Sequence, residues 1–124
     1  MLYEEALTGK IIAAAIEVHR ALGPGLLESA YQACLARELA LQQIAFEQEK
    51  PVPVKYKGVK LDCGYRLDFF VENKVIVELK AVEKILAIHE AQLLTYLKLN
   101  NCNVGLLINF HVPVLTKGIK RMVL

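Results

Sequence analysis

Two carboxylates and a lysine interrupt neighbouring apolar segments near the middle of the chain. Asp68 lies in the first segment, and Glu78 and Lys80 lie in the second. The polar stretch between the segments predicts a β-hairpin centred near Asn73, in which Asp68 lies directly opposite Glu78. Opposed residues in such a pair have Cβ atoms about 5 Å apart, and like charges there are destabilising. A cation is therefore expected between the two carboxylates.

A hard divalent cation is the natural partner for this pair. Mg²⁺ binds carboxylate oxygens and keeps several waters of its own, and Mn²⁺ takes the same kind of ligands. Alternation along a strand places Lys80 on the same face as Glu78, where its ammonium could hold or activate a metal-bound water. The residue types and their spacing indicate a candidate metal site.

A simpler interpretation is that these charges line a solvated sheet face, where strand charges are commonly found. The neighbouring residues argue against it. Leu67, Phe69 and Val71 are expected on one face of the hairpin, whereas the face with the acids also carries Phe70 and Ile76. Apolar residues on both faces predict covered strands, in which unpartnered charges would cost several kcal/mol.

The composition is that of one folded domain. The chain has 124 residues, of which 55% are hydrophobic, enough for one core but too few for two independent ones. The longest apolar run is short and lies between Lys10 and Glu17, so no membrane span is predicted. Glu4 and Glu5 stand where a secretory signal would be basic. We expect a soluble cytoplasmic protein with a single domain over residues 1–124.

The net charge of +2 is unevenly distributed along the chain. Residues 1–49 hold three basic and seven acidic side chains, whereas residues 50–124 hold twelve basic and six acidic ones. The second part is where a polyanion is expected to bind, although mixed surface charge also serves solubility. The candidate phosphate contacts are Lys55, Lys57, Lys60, Lys84 and Lys98.

Hydrophobic periodicity predicts the elements that position these residues. Gly23-Pro24-Gly25 separates two helical patterns and predicts a tight turn between helices. The remaining pattern predicts strands, a third helix and a final pair of strands. The predicted helices cover 4–21, 26–44 and 86–99, and the predicted strands cover 52–56, 59–63, the hairpin, 104–110 and an edge strand within 112–124. These elements predict one α/β domain in which helices cover a central mixed sheet.

Four ordered motifs resemble the PD-(D/E)XK nuclease superfamily. They are an upstream Glu, an Asp ending one strand, Glu-x-Lys on the next strand, and a helix with Gln-x-x-x-Tyr. In this chain they are Glu28, Asp68, Glu78-Leu79-Lys80, and Gln92 with Tyr96. The resemblance covers nearly the whole chain and departs from the superfamily name at Leu67, which stands in the place of Pro.

A narrower resemblance lies in the turn and the helix that follows it. The segment Gly25-Leu-Leu-Glu28-Ser-Ala-Tyr31 resembles the signature of the GxxExxY proteins, a prokaryotic family of the same superfamily. Further stretches resemble that family, namely Val18-His19-Arg20 and Gly105-Leu-Leu-Ile-Asn109-Phe110.

The resemblance implies a restriction-endonuclease-like core with the order α-β-β-β-α-β. It also implies a nuclease that hydrolyses phosphodiester bonds with Mg²⁺ or Mn²⁺, acting on DNA more than on RNA. Asp68, Glu78 and the Leu79 carbonyl would bind the metal. Lys80 would position the attacking water, and no acidic or lysine position of the motifs is missing.

The resemblance implies roles for helical residues too, each with a plainer alternative. Glu28 would complete the metal shell, or else be an exposed acid that favours a helix N-terminus. Gln92 would contact Lys80, a metal water or the phosphate, and Tyr96 would contact DNA or brace its helix. Two further residues could support the site. Tyr31 would orient Glu28 or pack with a hydroxyl hydrogen bond. His19 would reach the metal or serve as a capping or core histidine.

Two classes of function follow from the sequence. The first is a metal-dependent nuclease whose substrate is selected by a homodimer or a partner protein. The alternative is a noncatalytic module that binds nucleic acid or protein on a nuclease fold, because a fold does not establish activity. A hydrolase of small phosphoesters is disfavoured because the chain has no glycine-rich loop that cradles phosphate.

Overall fold

A five-stranded mixed sheet forms the centre of the protein, which we describe from a computed structural model over residues 3–124. The helices are α1 (Glu5–Leu22), α2 (Glu28–Leu41) and α3 (Ala87–Leu99), and the strands are β1 (Phe46–Pro51), β2 (Val54–Tyr56), β3 (Val59–Leu61), β4 (Arg66–Val71), β5 (Val75–Lys80), β6 (Val104–Asn109) and β7 (Ile119–Val123). The strand order is β1-β4-β5-β6-β7, in which β5 and β6 are parallel and the other neighbours are antiparallel. The run α2-β1-β4-β5-α3-β6 has the expected α-β-β-β-α-β order, and the α/β prediction is confirmed.

Helices cover both faces of this sheet. The side chains of α1 and α2, such as Ile11 and Leu35, pack with Val77 on one face. Those of α3, such as Leu93, pack with Ile76 on the other. The predicted burial of the hairpin strands on both sides is therefore confirmed. None of the helices in the described range is long and apolar enough to cross a membrane.

The first strand of the central sheet was not predicted from the sequence. Residues 46–51 read Phe-Glu-Gln-Glu-Lys-Pro and form the edge strand β1, which pairs with β4. The second helix ends at Leu41 rather than near Ile44. An edge strand with one solvated face and a single large apolar residue has almost no periodic signal, which explains the error.

The strands predicted at 52–56 and 59–63 exist in shorter form, but they are not part of the central sheet. They are β2 and β3, which pair only with each other and form a two-stranded ribbon. The ribbon is inserted between β1 and β4, because Pro51 pairs with Arg66 across its base. Local alternation showed that a hairpin exists but carried no information about which sheet it joins.

The register of the β4–β5 hairpin is as predicted near its turn. Phe70 pairs with Ile76, and both Glu72 and Asn73 adopt the left-handed backbone that such tight turns require. The prediction for Leu67 was wrong, since it packs in the cluster with Phe70 rather than in the cluster with Phe69. The β4–β5 ladder ends at Phe69, and Leu67 pairs only with Lys50 of β1.

The Gly-Pro-Gly turn sets the direction in which α2 begins. Gly23 and Gly25 have φ of 71° and 106°, a region that favours glycine. The buried Tyr31 hydroxyl donates to the Gly23 carbonyl at 2.6 Å and accepts from the Leu26 N–H at 3.1 Å. Its ring stacks on Phe110 with centroids 4.4 Å apart. Tyr31 thus ties the turn to α2 and to the end of β6.

Replacing Tyr31 by Phe should lower the free energy of unfolding by about 1–2 kcal/mol, because both hydrogen bonds of the hydroxyl disappear while the ring remains. Chemical denaturation measures the loss. Tyr56→Phe is the control, since the Tyr56 side chain is 61% exposed and should lose almost nothing. Equal stability of the two variants would contradict the bracing role of Tyr31.

Candidate active site

The two central carboxylates bridge β4 and β5 at the point where the strands separate. The backbone ladder ends at Phe69 and Val77. Beyond it, the Asp68 N–H donates to Glu78 Oε2 at 2.8 Å, and the Leu79 N–H donates to Asp68 Oδ2 at 2.8 Å. The acids are neighbours, as the register predicted, but they are joined through side chains rather than as a backbone pair. Each carboxylate is therefore held in orientation by the opposite strand.

Burial raises the pKa of both carboxyl groups. Glu78 is 6% exposed, and its pKa rises to about 8 because of burial and, to a smaller extent, the Asp68 charge. The pKa of Asp68 rises to about 6, chiefly through burial and further through the charges of Glu28 and Glu49. The backbone hydrogen bonds and the Lys80 charge oppose both shifts. Near neutral pH the pair retains a proton that a bound cation would displace.

Two more carboxylates act on this pair through their negative charge. Glu28 is the first residue of α2, and its negative charge raises the pKa of both Asp68 and Glu78. Glu49 in β1 raises the pKa of Asp68, accepts a hydrogen bond from the Gln32 amide at 3.0 Å, and has a left-handed backbone with φ of 54°. Such a conformation is uncommon for a residue other than glycine. Glu49 was not identified as a site residue from the sequence, because β1 was not predicted.

The pair of acids can offer oxygens to a cation. Among residues 3–124, no three His, Cys, Asp or Glu side chains are arranged to hold a metal ion together, so Glu28 acts on the pair through its charge in this arrangement. Asp68 Oδ1 and Glu78 Oε1 accept no hydrogen bond from the described residues and are not fully buried. Two carboxylate oxygens that are open to solvent fit a hard divalent cation, which completes its shell with water.

Lys80 supplies the positive charge at this end of β5. It is half-buried, and its charge lowers the pKa of Asp68 and Glu78. Within the part of the chain that the structure describes, the ion pairs do not include Lys80. Its ammonium therefore lies near the carboxylates while remaining available to an anionic ligand.

Helix α3 brings Tyr96 to the same neighbourhood. Burial raises the pKa of Tyr96 to about 12, and the charge of Glu78 contributes next. Gln92 lies one turn earlier and lines an open groove together with Tyr96 and His89. His89 Nδ1 accepts a hydrogen bond from the Leu86 N–H at 3.0 Å, so His89 caps the start of α3.

His19 makes contacts typical of a core residue. It is 8% exposed, and its Nε2 lies 2.8 Å from the Val112 carbonyl oxygen. Its ring lies 6.3 Å from the Phe110 ring. These contacts join α1 to the segment before β7.

Asn109 holds the loop that follows Lys80, a role that the sequence did not suggest. Its side chain is 2% exposed, donates to the Val82 carbonyl at 2.8 Å and accepts from the Val82 N–H at 3.1 Å. It also accepts from the His111 N–H at 3.2 Å, and Lys80 pairs with Asn109 across the sheet. Asn109 thereby connects the segment that follows β5 to the segment that follows β6.

Replacing Asn109 by Ala should lower the free energy of unfolding by about 2–4 kcal/mol, since three hydrogen bonds are lost and buried backbone groups of Val82 stay unpaired. Thermal denaturation compares it with Asn103→Ala, whose exposed amide makes a single long hydrogen bond of 3.4 Å. A cost for Asn109→Ala no greater than that of the control would contradict this role.

Comparison with known families agrees with this geometry. A model of the PD-(D/E)XK nuclease superfamily matches residues 5–122. The chain belongs to the PD-(D/E)XK nuclease superfamily. Comparisons with curated proteins and with solved structures gave no match. The PD-(D/E)XK match extends from α1 through β7, so it includes both carboxylates, Lys80 and the groove beside α3.

Proposed function

We propose that this PD-(D/E)XK protein is a metal-dependent nuclease that hydrolyses phosphodiester bonds in nucleic acid, with DNA favoured over RNA as the substrate. The observation that carries the proposal is the pair of the partly buried Asp68 and the buried Glu78, which backbone hydrogen bonds orient and on which Lys80 acts through its charge. A buried like-charged pair is destabilising without a cation, so its presence favours a functional site over a structural one.

The residues divide the chemistry among them. Asp68, Glu78 and the Leu79 carbonyl would hold Mg²⁺ or Mn²⁺, with Glu28 adding negative charge or a further ligand. The bound metal would polarise a phosphoryl oxygen and lower the pKa of a bound water. Lys80 would orient the attacking water and stabilise negative charge at the scissile phosphate. Gln92 would contact Lys80 or the phosphate from α3.

We further propose that the chain belongs to the GxxExxY family of prokaryotic proteins and is cytoplasmic. Gly25, Glu28 and Tyr31 are the named positions of that signature. The hydroxyl of Tyr31 links the turn of Gly23 to the start of α2, so the signature describes a structural unit that delivers Glu28 to the acids. The substrate would be selected by a homodimer or a partner protein.

Cleavage of labelled single-stranded DNA, duplex DNA, branched DNA and RNA tests the proposal. The protein is assayed with Mg²⁺, with Mn²⁺ and with a chelator. We expect cutting that needs the metal and that Asp68→Asn abolishes, since the variant loses one metal-binding carboxylate. The control is Glu5→Gln, an exposed acid in the first turn of α1. Absence of cutting by folded, metal-bound protein would favour the noncatalytic module instead.

A further inference from the structure

A groove of about 570 Å³ lies between the β2–β3 ribbon and α3. Its walls are mostly apolar side chains from three parts of the fold. The lining residues used below are Val54, Tyr65, Ile88, Gln92, Tyr96 and Leu99. Ile88 is 68% exposed, although a side chain of its size would ordinarily be covered.

Two tyrosines line the groove, and one of them lies close enough to the carboxylate pair to be affected by its charge. Tyr65 and Tyr96 have ring centroids 6.1 Å apart at 64°, an edge-to-face arrangement that fixes the exposed ring of Tyr65. Tyr96 is near enough to Glu78 and Asp68 for their charges to raise its pKa. A ligand that covers Tyr65 therefore also lies next to Tyr96.

The ribbon next to the groove carries unbalanced positive charge. Lys55 lies directly opposite Lys60 across β2 and β3, and both are exposed. Like charges at such a pair are destabilising. The ribbon segment 52–61 contains three lysines and no acid, and the described ion pairs give these lysines no carboxylate within 4.0 Å. An anionic ligand would relieve this repulsion.

A further cation stands at the edge of the groove. Arg66 Nη1 donates to the Tyr65 backbone carbonyl at 3.0 Å and makes a long contact of 4.0 Å with the exposed Asp62 carboxylate. An aromatic platform flanked by cations is the combination that binds single-stranded nucleic acid, because bases stack on the ring and phosphates contact the cations.

We propose that this groove binds unpaired bases of a nucleic-acid strand whose phosphates are attracted by the positive charge of the ribbon, where Lys55 and Lys60 lie on the face opposite to Val54. The inference rests on the proposed nuclease function and adds the substrate class, a single strand or a strand with an unpaired segment. Fully paired DNA keeps its bases stacked inside and offers mainly phosphates to a surface, so it would leave the apolar groove empty. The opposed lysines favour a polyanion over an apolar peptide.

Binding without cleavage tests the inference. The Asp68→Asn protein, kept free of divalent metal, is titrated into fluorescent oligothymidylate, an abasic strand of equal length, and a blunt duplex. We expect anisotropy to show binding to oligothymidylate at least about tenfold tighter than to the abasic strand, because one stacked base contributes roughly 1–3 kcal/mol. The duplex should bind no more tightly than the abasic strand.

Two variants in that background separate stacking from charge. Tyr65→Ala should weaken oligothymidylate binding about tenfold and leave abasic binding unchanged, whereas Tyr65→Phe keeps the ring and the affinity. Replacing Lys55 and Lys60 together by Ser should weaken both strands and lower the salt dependence of binding by about 1.4 in log–log slope.

Equal affinity for the normal and abasic strands, or tighter binding of the duplex, would overturn the inference. Sedimentation at increasing concentration then identifies the other occupant, since a dimer broken by Ile88→Asp would assign the groove to a second copy. The experiments distinguish a failure of the groove inference from a failure of the nuclease proposal. Cleavage of duplex without a base-dependent preference removes only the groove inference, and base-dependent binding without any cleavage removes only the nuclease.

Discussion

Alanine in place of Lys80 is expected to slow metal-dependent cleavage about 100- to 1,000-fold, the usual effect of removing one charged group that stabilises a transition state. The metal carboxylates Asp68 and Glu78 stay intact in this variant. Metal should therefore still raise the thermal stability of Lys80→Ala, even though cleavage is lost. Cleavage rates under single-turnover conditions, together with melting temperatures with and without Mg²⁺, measure both effects.

Lys10→Ala is the matched control for the Lys80 variant. Lys10 is an exposed lysine of α1, so its replacement removes the same charge away from β5. It should cleave at the wild-type rate. A Lys80→Ala protein that cleaves as fast as Lys10→Ala would remove Lys80 from the catalytic mechanism and reopen the noncatalytic alternative.

Glutamine in place of Glu78 should make the metal-free protein more stable at pH 8, by about 2–4 kcal/mol. The gain arises because a buried negative charge next to Asp68 is removed, while the glutamine oxygen can still accept the Asp68 N–H. For a domain of this size the melting temperature should rise by roughly 10 °C. The same variant should lose metal-dependent stabilisation and cleavage.

The pH dependence of the wild type gives an independent check. Burial raises the pKa of Glu78 to about 8 and that of Asp68 to about 6, well above their values in an unfolded chain. The folded protein therefore binds more protons than the unfolded one between about pH 4 and pH 8. Stability without metal should fall as the pH rises through this window. Much of that slope should disappear in Glu78→Gln, so the two proteins should differ little at pH 4.

Glu83→Gln serves as the control, because Glu83 is an exposed carboxylate in the loop after β5. It should change the melting temperature little at any pH. If Glu78→Gln instead lowered the melting temperature at pH 8, the carboxylate would be part of the structural framework rather than a strained functional group. Metal-free protein in a chelating buffer is required, since a bound cation would mask the repulsion.

The sequence determined the parts of the fold whose signals are local. Continuous or alternating apolar residues marked β4, β5 and β6, and the polar turn near Asn73 set the pairing of Phe70 with Ile76. Side-chain alternation has a period of two, so this register alone brought Asp68 and Glu78 together. The motif Glu-x-Lys added Lys80 on the same strand. The central site could therefore be predicted from a span of about fifteen residues.

The sequence did not reveal β1 or the position of the ribbon. A solvated edge strand carries little hydrophobic periodicity, and strand pairing across a long loop depends on which surfaces remain uncovered after the core forms. Glu49 was missed for that reason, although its charge acts on Asp68. The role of Asn109 was hidden likewise, because its partners in residues 82 and 111 are brought together only by the parallel pairing of β5 with β6.

Residue types and local spacing thus determined the chemistry that the chain can offer, namely two acids and a lysine on paired strands. Tertiary structure alone decided how far the pKa values of the two acids are shifted. Burial, and the approach of Glu28 and Glu49 from separate elements, raise the pKa of Asp68. Tertiary packing also formed a groove with two tyrosines between the basic ribbon and α3. Burial and electrostatic proximity depend on contacts distant in sequence, so no local pattern encodes them.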